Sequence, residues 1–383
     1  MTTYESDIYQ QLIDWWKQTW WGMPEADELL PLLKTHLTTE EASLLTSIPF
    51  QGRTLEQLAD TIHMRPAELR PGLDNLARKG LLFRTITPET IRYSINDSMF
   101  VYMRSAFWRG DTDEATSAIA PLVNQYYYHG FFDQYDFTHL KGLRVLPIQE
   151  AITDTRQIMP YEELTAVLDS QDYFAVSHCA CKHRKNLDPD FPDCKHPTEV
   201  CLHFGRLGRY TVENGMGREI TRQEAEDILQ RCAEEGLVHG VSNWQNGVDT
   251  ICNCCRCCCL FLEAFHVLKH SQGLGPSNYL VQTNPETCKG CGLCTERCPM
   301  DALQLEVSEK APASKTGKVA VLNPDLCIGC GVCAYKCPTK SLVLAPREVV
   351  QDPPRNARDY TRQVVADFTS GWDRLREESV PTE

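Results

Sequence analysis

Hydrophobic positions recur at helical spacing near the start of the chain: in IYQQLIDWWKQTWWGM, Ile8, Leu12, Trp16, Trp20 and Met23 fall on one face, which predicts an amphipathic helix. The tryptophans could suit a membrane interface, but Asp7, Asp14 and Lys17 interrupt the segment and no basic face accompanies them. The helix is therefore expected to pack on the body of the protein or on a partner. From 38 to 95 the pattern shortens. Thr38 and Glu41 make a capping box, Thr54 can cap LEQLADTI, Pro66 can start AELRPGLDNLARKG, and LLFRTIT and TIRYSI read as two strands. Pro71-Gly72 falls inside the third of these helices, where a proline costs about 3 kcal/mol unless the helix starts or kinks at it.

Residues 96–170 hold the aromatic stretch NQYYYHGFFDQYDF and the strand-like GLRVLPI without any ligand constellation, and read as scaffold. Further on, Thr221 and Glu224 cap the helix RQEAEDILQRCAEEG, which ends at Gly236 before the strand-like LVHGV. Cys232 lies within that helix and is expected in the core. Residues 346–383 are proline-broken and then amphipathic, predicting a helix that lies on the body. The sum is an α+β chain of several domains: an N-terminal helix (1–37), a helix-and-hairpin unit (38–110), a cysteine-rich centre (111–275), a last compact unit (276–345) and a tail helix (346–383).

Composition adds limits. No run approaches the ~20 apolar residues that span a bilayer, and MTTYESDIYQ has no basic n-region, apolar h-region or twin arginine. Nineteen cysteines without an export signal point to the reducing cytoplasm, where cysteine clusters mean metal or redox chemistry. The formal charge of −14 argues against a general affinity for nucleic acid or anionic membranes. The three short helices and hairpin of 38–95 resemble the winged-helix fold. Between 40 and 95, however, seven basic residues meet seven acidic ones, poor footing for phosphate contacts, so a docking or structural module is expected there.

Cys288, Cys291, Cys294 and Cys298 followed by Pro299 read C-x2-C-x2-C-x3-C-P, and Cys327, Cys330, Cys333 and Cys337 followed by Pro338 repeat it. Three thiolates on one tight loop can each reach a different iron of a cubane, while the next turn carries the fourth away. The pattern resembles the two-cluster bacterial ferredoxins. That resemblance implies two 4Fe-4S clusters with crossed ligand sets: Cys288, Cys291, Cys294 and Cys337 for one, and Cys327, Cys330, Cys333 and Cys298 for the other. Gly290, Gly292, Gly329 and Gly331 are expected to let backbone amides crowd toward the sulfides. The polar loop SEKAPASKTG between the motifs predicts an extended hairpin. Two such clusters add about −4 to the formal charge, so an electropositive redox partner is expected.

Ten more thiols lie in two stretches: Cys179, Cys181, Cys194 and Cys201, then Cys252, Cys254, Cys255, Cys257, Cys258 and Cys259 in ICNCCRCCCLF. Ten exceed one four-ligand site and suit two. As the start of a helix continuing into LFLEAFHVLKH, the run would place Cys252, Cys255 and Cys259 on one face and Cys254, Cys257 and Cys258 on the other. As a loop it would still offer C-x2-C pairs. The readings are one or two further iron–sulfur clusters, a zinc site formed by part of the set, or dithiol redox chemistry without metal. The company of eight cluster-type cysteines favours the first. His178, His183, His196 and His203 stand nearby as candidate ligands. The centre resembles cysteine-rich segments of ferredoxin-like proteins of anaerobes that have no settled activity.

The chain is thus expected to be an iron–sulfur electron-transfer protein or subunit of an anaerobic oxidoreductase, relaying single electrons between two 4Fe-4S clusters and a central cysteine-ligated site. The alternative is a redox- or oxygen-responsive winged-helix regulator with the clusters as sensor. A catalytic centre is a third reading, and no flavin or dinucleotide fingerprint supplies a hydride partner within the chain.

Overall fold

The computed structural model describes residues 7–19, 22–132, 140–153, 158–269 and 273–378, with side chains through residue 367. The first helix, Ile8–Trp16, is shorter than its hydrophobic spacing predicts. The Thr19 hydroxyl donates to Trp16 O at 2.8 Å and accepts from Gly22 N at 3.0 Å, and Gly22 turns the chain at φ 61°. Met23 is buried beyond the helix end, and Trp20 lies outside the described residues. Trp16 is fully buried and donates from Nε1 to Asn96 O at 2.8 Å, so this tryptophan packs on the body of the protein.

Thr38 and Glu41 form the expected capping box of the helix Thr39–Thr46, and Thr54 and Gln57 form another for Leu55–Ile62. The helix Pro66–Arg78 starts at its proline and runs through Pro71 without a break. Ala67 and Pro71 are both exposed, so water can meet the carbonyl that Pro71 leaves unbonded. Leu69, Leu73, Leu76 and Ala77 are buried and hold the helix in place. The strands Leu82–Ile86 and Ile91–Ile95 form an antiparallel hairpin, with Arg53–Thr54 added along the second. One apolar core joins these helices to the helix Glu114–Tyr126, and reaches Tyr210, Leu260, Tyr360 and Val364. Tyr360 and Val364 belong to the terminal helix Ala357–Glu378, which lies on the body as its amphipathic pattern predicts.

The centre is a six-stranded sheet, antiparallel at every ladder, in the order Leu143–Val145, Val238–Ser242, Thr250–Cys254, Glu199–Phe204, Phe174–His178, Arg218–Glu219. The cysteine run is neither the helix nor the plain loop of the sequence reading. Its first half is the strand Thr250–Cys254, a turn follows, and the helix Leu260–His266 starts after Cys259. Ladders on both sides hold that strand extended. The helix Arg222–Glu235 is capped by Thr221 and ends at Gly236 with φ 83°, and its Cys232 is fully buried.

In the last unit Tyr279–Thr283 pairs with Leu342–Pro346, and Leu303–Val307 pairs with Lys318–Leu322. Short helices Leu293–Arg297 and Val332–Tyr335 follow the two cysteine loops. Each strand pair takes one strand from the half that carries the first motif and one from the half that carries the second, so neither half can form its sheet alone.

Candidate metal centres

Cys288, Cys294, Cys298, Cys330 and Cys333 are buried, Cys327 and Cys337 half-buried, and Cys291 exposed. The fourth cysteine of each motif leaves its own loop. Cys298 lines a small void of about 10 Å³ with Cys327, Cys330 and Cys333. Cys337 lies in the field of Cys294, whose other sulfur neighbours are Cys288 and Cys291. Burial first, then these neighbours, push the Cys294 thiol up to about 11, and burial pushes Cys330 and Cys333 up as well. Such thiols become thiolates only beside a cation, as in iron ligation. Ala302 N donates to Cys298 Sγ at 3.3 Å, an amide-to-sulfur bond of the kind that tunes a cluster's potential.

The four loop glycines have positive φ, between 61° and 83°. A Cβ on Gly329 would overlap Ser277 Oγ and the Tyr279 carbonyl, and one on Gly290 would overlap the Lys318 carbonyl. Neighbouring strands therefore demand glycine here as much as any cluster does.

Residues 287–341 match the family model of the 4Fe-4S dicluster domain. This segment is a ferredoxin-type domain. No curated protein and no solved structure matches the chain.

Away from the ferredoxin-type domain, the ten central thiols fall into two sets. Cys194, Cys255, Cys257 and Cys258 gather with all four sulfurs within 4.8 Å of one another. Cys179, Cys181, Cys201, Cys252, Cys254 and Cys259 line a chamber of about 90 Å³, and Cys255 touches its wall. Strand alternation puts Cys252 and Cys254 on one face. Cys201 and Cys254 each lie in the field of Cys252, and Cys254 also in that of Cys259. Cys179 and Cys181 join from the start of the helix Ala180–Asn186. The neighbouring Cys179 sulfur, aided by Arg184 and the Leu260 amide, lowers the Cys181 thiol below its ordinary range.

The chamber also holds residues that the sequence left in scaffold. Met103, Arg104 and Trp108 form one wall and Lys182 another. Arg104 lies 5.1 Å from the Phe100 ring and 5.2 Å from the Trp108 ring, and its buried Nη2 has no hydrogen-bond partner among the described residues. Lys182 is fully buried and donates to Pro197 O at 2.7 Å. A buried lysine and a half-buried arginine lining the same chamber as six thiols fit an anionic metal–thiolate assembly. The one advance signal was a lone arginine in the apolar run MFVYMRSAFW.

The described metal-ligand grouping contains only cysteines. Of the candidate histidines, His183 Nε2 lies 2.7 Å from the Asp111 carbonyl, His203 packs on Trp108 at 4.5 Å, and the His196 amide bonds the Cys194 sulfur.

The loop geometry yields a stability test. Gly317 has φ 66° with nothing near its missing Cβ, whereas Gly329 has φ 69° with two groups in the way. Gly317→Ala is expected to cost about 1 kcal/mol from the left-handed backbone alone. Gly329→Ala should cost clearly more in denaturant unfolding and release iron from its loop; equal costs would contradict the packing described.

Proposed function

We propose that this chain is an iron–sulfur electron-transfer protein working as a subunit of an oxidoreductase. In this reading single electrons pass between the two clusters of the ferredoxin-type domain and a third cluster in the central thiol chamber. The domain's clusters take the crossed sets, Cys288, Cys291, Cys294 and Cys337, and Cys327, Cys330, Cys333 and Cys298. The observation that carries the relay is a shared apolar core: Cys298 and Cys330 pack in the same cluster of buried residues as Cys254 and Cys259, with Ile148, Leu262, Met300 and Ile328. Ile148 N also donates to Cys330 O at 3.0 Å. A dry, continuous contact of this kind supports electron passage from the domain into the chamber. Exposed Cys291 marks the opposite, outward end, where an electropositive partner suits the formal charge of −14.

The N-terminal unit is read as a winged helix, because helix, strand, two helices and a hairpin follow in that order. This order is what favours the regulator as a second reading. Its hairpin is already engaged, with Phe83 stacked on Tyr210 at 4.4 Å and Tyr210 Oη donating to Leu82 O at 3.0 Å. Arg70 and Arg84 are paired with Asp74. A docking role suits these contacts better than a DNA-reading one. The full chain is accordingly expected to leave duplex DNA unretarded at moderate salt in a gel-shift assay, and sequence-dependent retardation would favour the regulator.

Replacing Cys298 with alanine should damage the cluster on the 327–333 loop and spare the one on 288–294, as resolved by electron paramagnetic resonance of the reduced protein. Loss of the 288–294 cluster instead would refute the crossed sets. Anaerobically purified protein should carry about twelve irons with matching sulfide, and Cys252→Ala with Cys259→Ala should remove about four of them. A wild-type count near eight would end the relay at the ferredoxin-type domain.

A further inference from the structure

The four-thiol group beside the chamber has dimensions of its own. Cys194 Sγ lies 3.8 Å from Cys255 Sγ and 3.6 Å from Cys257 Sγ, and Cys257 and Cys258 are 3.6 Å apart. A single metal with metal–sulfur bonds of ~2.3 Å in a tetrahedron sets its sulfurs ~3.8 Å apart. The thiolates of a cubane each bind a different iron and point away from the centre, so they stand farther apart than the edge of a one-metal tetrahedron. Four thiols gathered this closely leave room for one metal atom and none for a cluster.

We infer that Cys194, Cys255, Cys257 and Cys258 form a mononuclear tetrathiolate site for zinc, distinct from the thiol chamber. All four positions of the tetrahedron are filled by protein, the closed set of a structural rather than a catalytic zinc. Binding forms four zinc–sulfur bonds and releases the thiol protons. The product carries about −2, and the buried Lys182 ammonium stands in the field of Cys255 and Cys194 to offset it. Backbone amides hold Cys194 in place: the His196 amide bonds its sulfur, and its own amide donates to Asn186 Oδ1 at 2.8 Å.

Zinc, with no redox chemistry, fits the place of the site in the fold. Cys254 and Cys259 share a core with the ferredoxin-type domain, but Cys255 and Cys258 are buried in a different one, with Val176, Leu202, Ile228 and Ile251. None of its four thiols belongs to the core that joins the chamber to the ferredoxin-type domain. What it can do is hold the chamber. Residues 187–198 have neither helix nor strand and contain Pro189, Pro192 and Pro197. Cys179 and Cys181 precede this loop and Cys201 follows it, so a metal tying Cys194 to the 255–258 turn fixes the spacing of thiols brought from both sides.

The assignment stands whether or not the relay reading holds, because zinc and iron are counted separately. Full-length protein purified without oxygen should contain about one zinc per chain besides its iron. X-ray absorption at the zinc edge should show four sulfurs at ~2.3 Å. Cys194→Ser with Cys257→Ser should lose that zinc and keep the wild-type iron content, while Cys257→His, which preserves four ligands, should keep it. Cobalt exchanged into wild-type protein should give the visible bands of a tetrahedral tetrathiolate, a measurement that needs no variant to fold. The inference is overturned if wild-type protein lacks zinc, if the double variant retains it, if the double variant loses about four irons, or if the site holds a single iron instead.

Discussion

The strand Thr250–Cys254 is confined between two antiparallel ladders, and that confinement sorts the central sulfurs. An extended backbone sends alternate side chains to opposite faces. Cys252 and Cys254 therefore enter the chamber, while Asn253 turns away and donates to Val200 O at 2.7 Å. The ladder ends at Cys254, and the turn beyond it aims Cys255, Cys257 and Cys258 at Cys194 instead. Gly240, the ladder partner of Cys252, leaves a space that Leu143 fills as a chamber wall. A longer strand or an earlier helix would mix the two sulfur sets.

Burial sets the second condition. Thiolates gathered in a poorly solvated interior repel one another and need cations. The fold brings Arg104 and Lys182 to the chamber from separate segments, and stacks Arg104 on the Phe100 and Trp108 rings. A neighbouring pair keeps the walls in register. Lys185 and Glu263 meet at 2.9 Å, and Tyr128 Oη donates to Glu263 at 2.6 Å. Lys185 and Glu263 lie on the two helices that begin after Cys179 and Cys259. Removing Glu263 would leave the buried Lys185 charge uncompensated, costing about 3–5 kcal/mol, so these helices and the cysteines at their starts are held together.

The ferredoxin-type domain is locked to this centre. Arg256, between Cys255 and Cys257, forms a two-bond pair with Asp301 at 2.6 and 2.7 Å. Asp301 follows Cys298 closely in sequence and also meets His266 at 3.2 Å. Arg297 donates to the carbonyls of Ala233 and Glu234 at 3.1 Å. Each contact joins the sulfur-bearing turn or a helix of the centre to residues flanking Cys298. The surface where the units meet thus lies beside Cys298 and is held by charged and backbone hydrogen bonds.

The sequence by itself determined what depends on neighbours along the chain. The two C-x2-C-x2-C-x3-C-P loops encode their own geometry through spacing and glycine. Thr38 with Glu41 and Thr54 with Gln57 mark helix starts by hydrogen bonds three residues long. The hairpin of 82–95 shows in its β-rich runs. The N-terminal helix was legible too, but its end was not, because Thr19 and Gly22 stop it against a continuing hydrophobic pattern. The division of the ten central cysteines lay beyond sequence, since periodicity is silent where every position is the same residue. Only pairing with Val238–Ser242 and Glu199–Phe204 made the run a strand, and only packing from Met103 to Trp108 gave the chamber its arginine. These are contacts between segments far apart in the chain, and tertiary structure alone decides them.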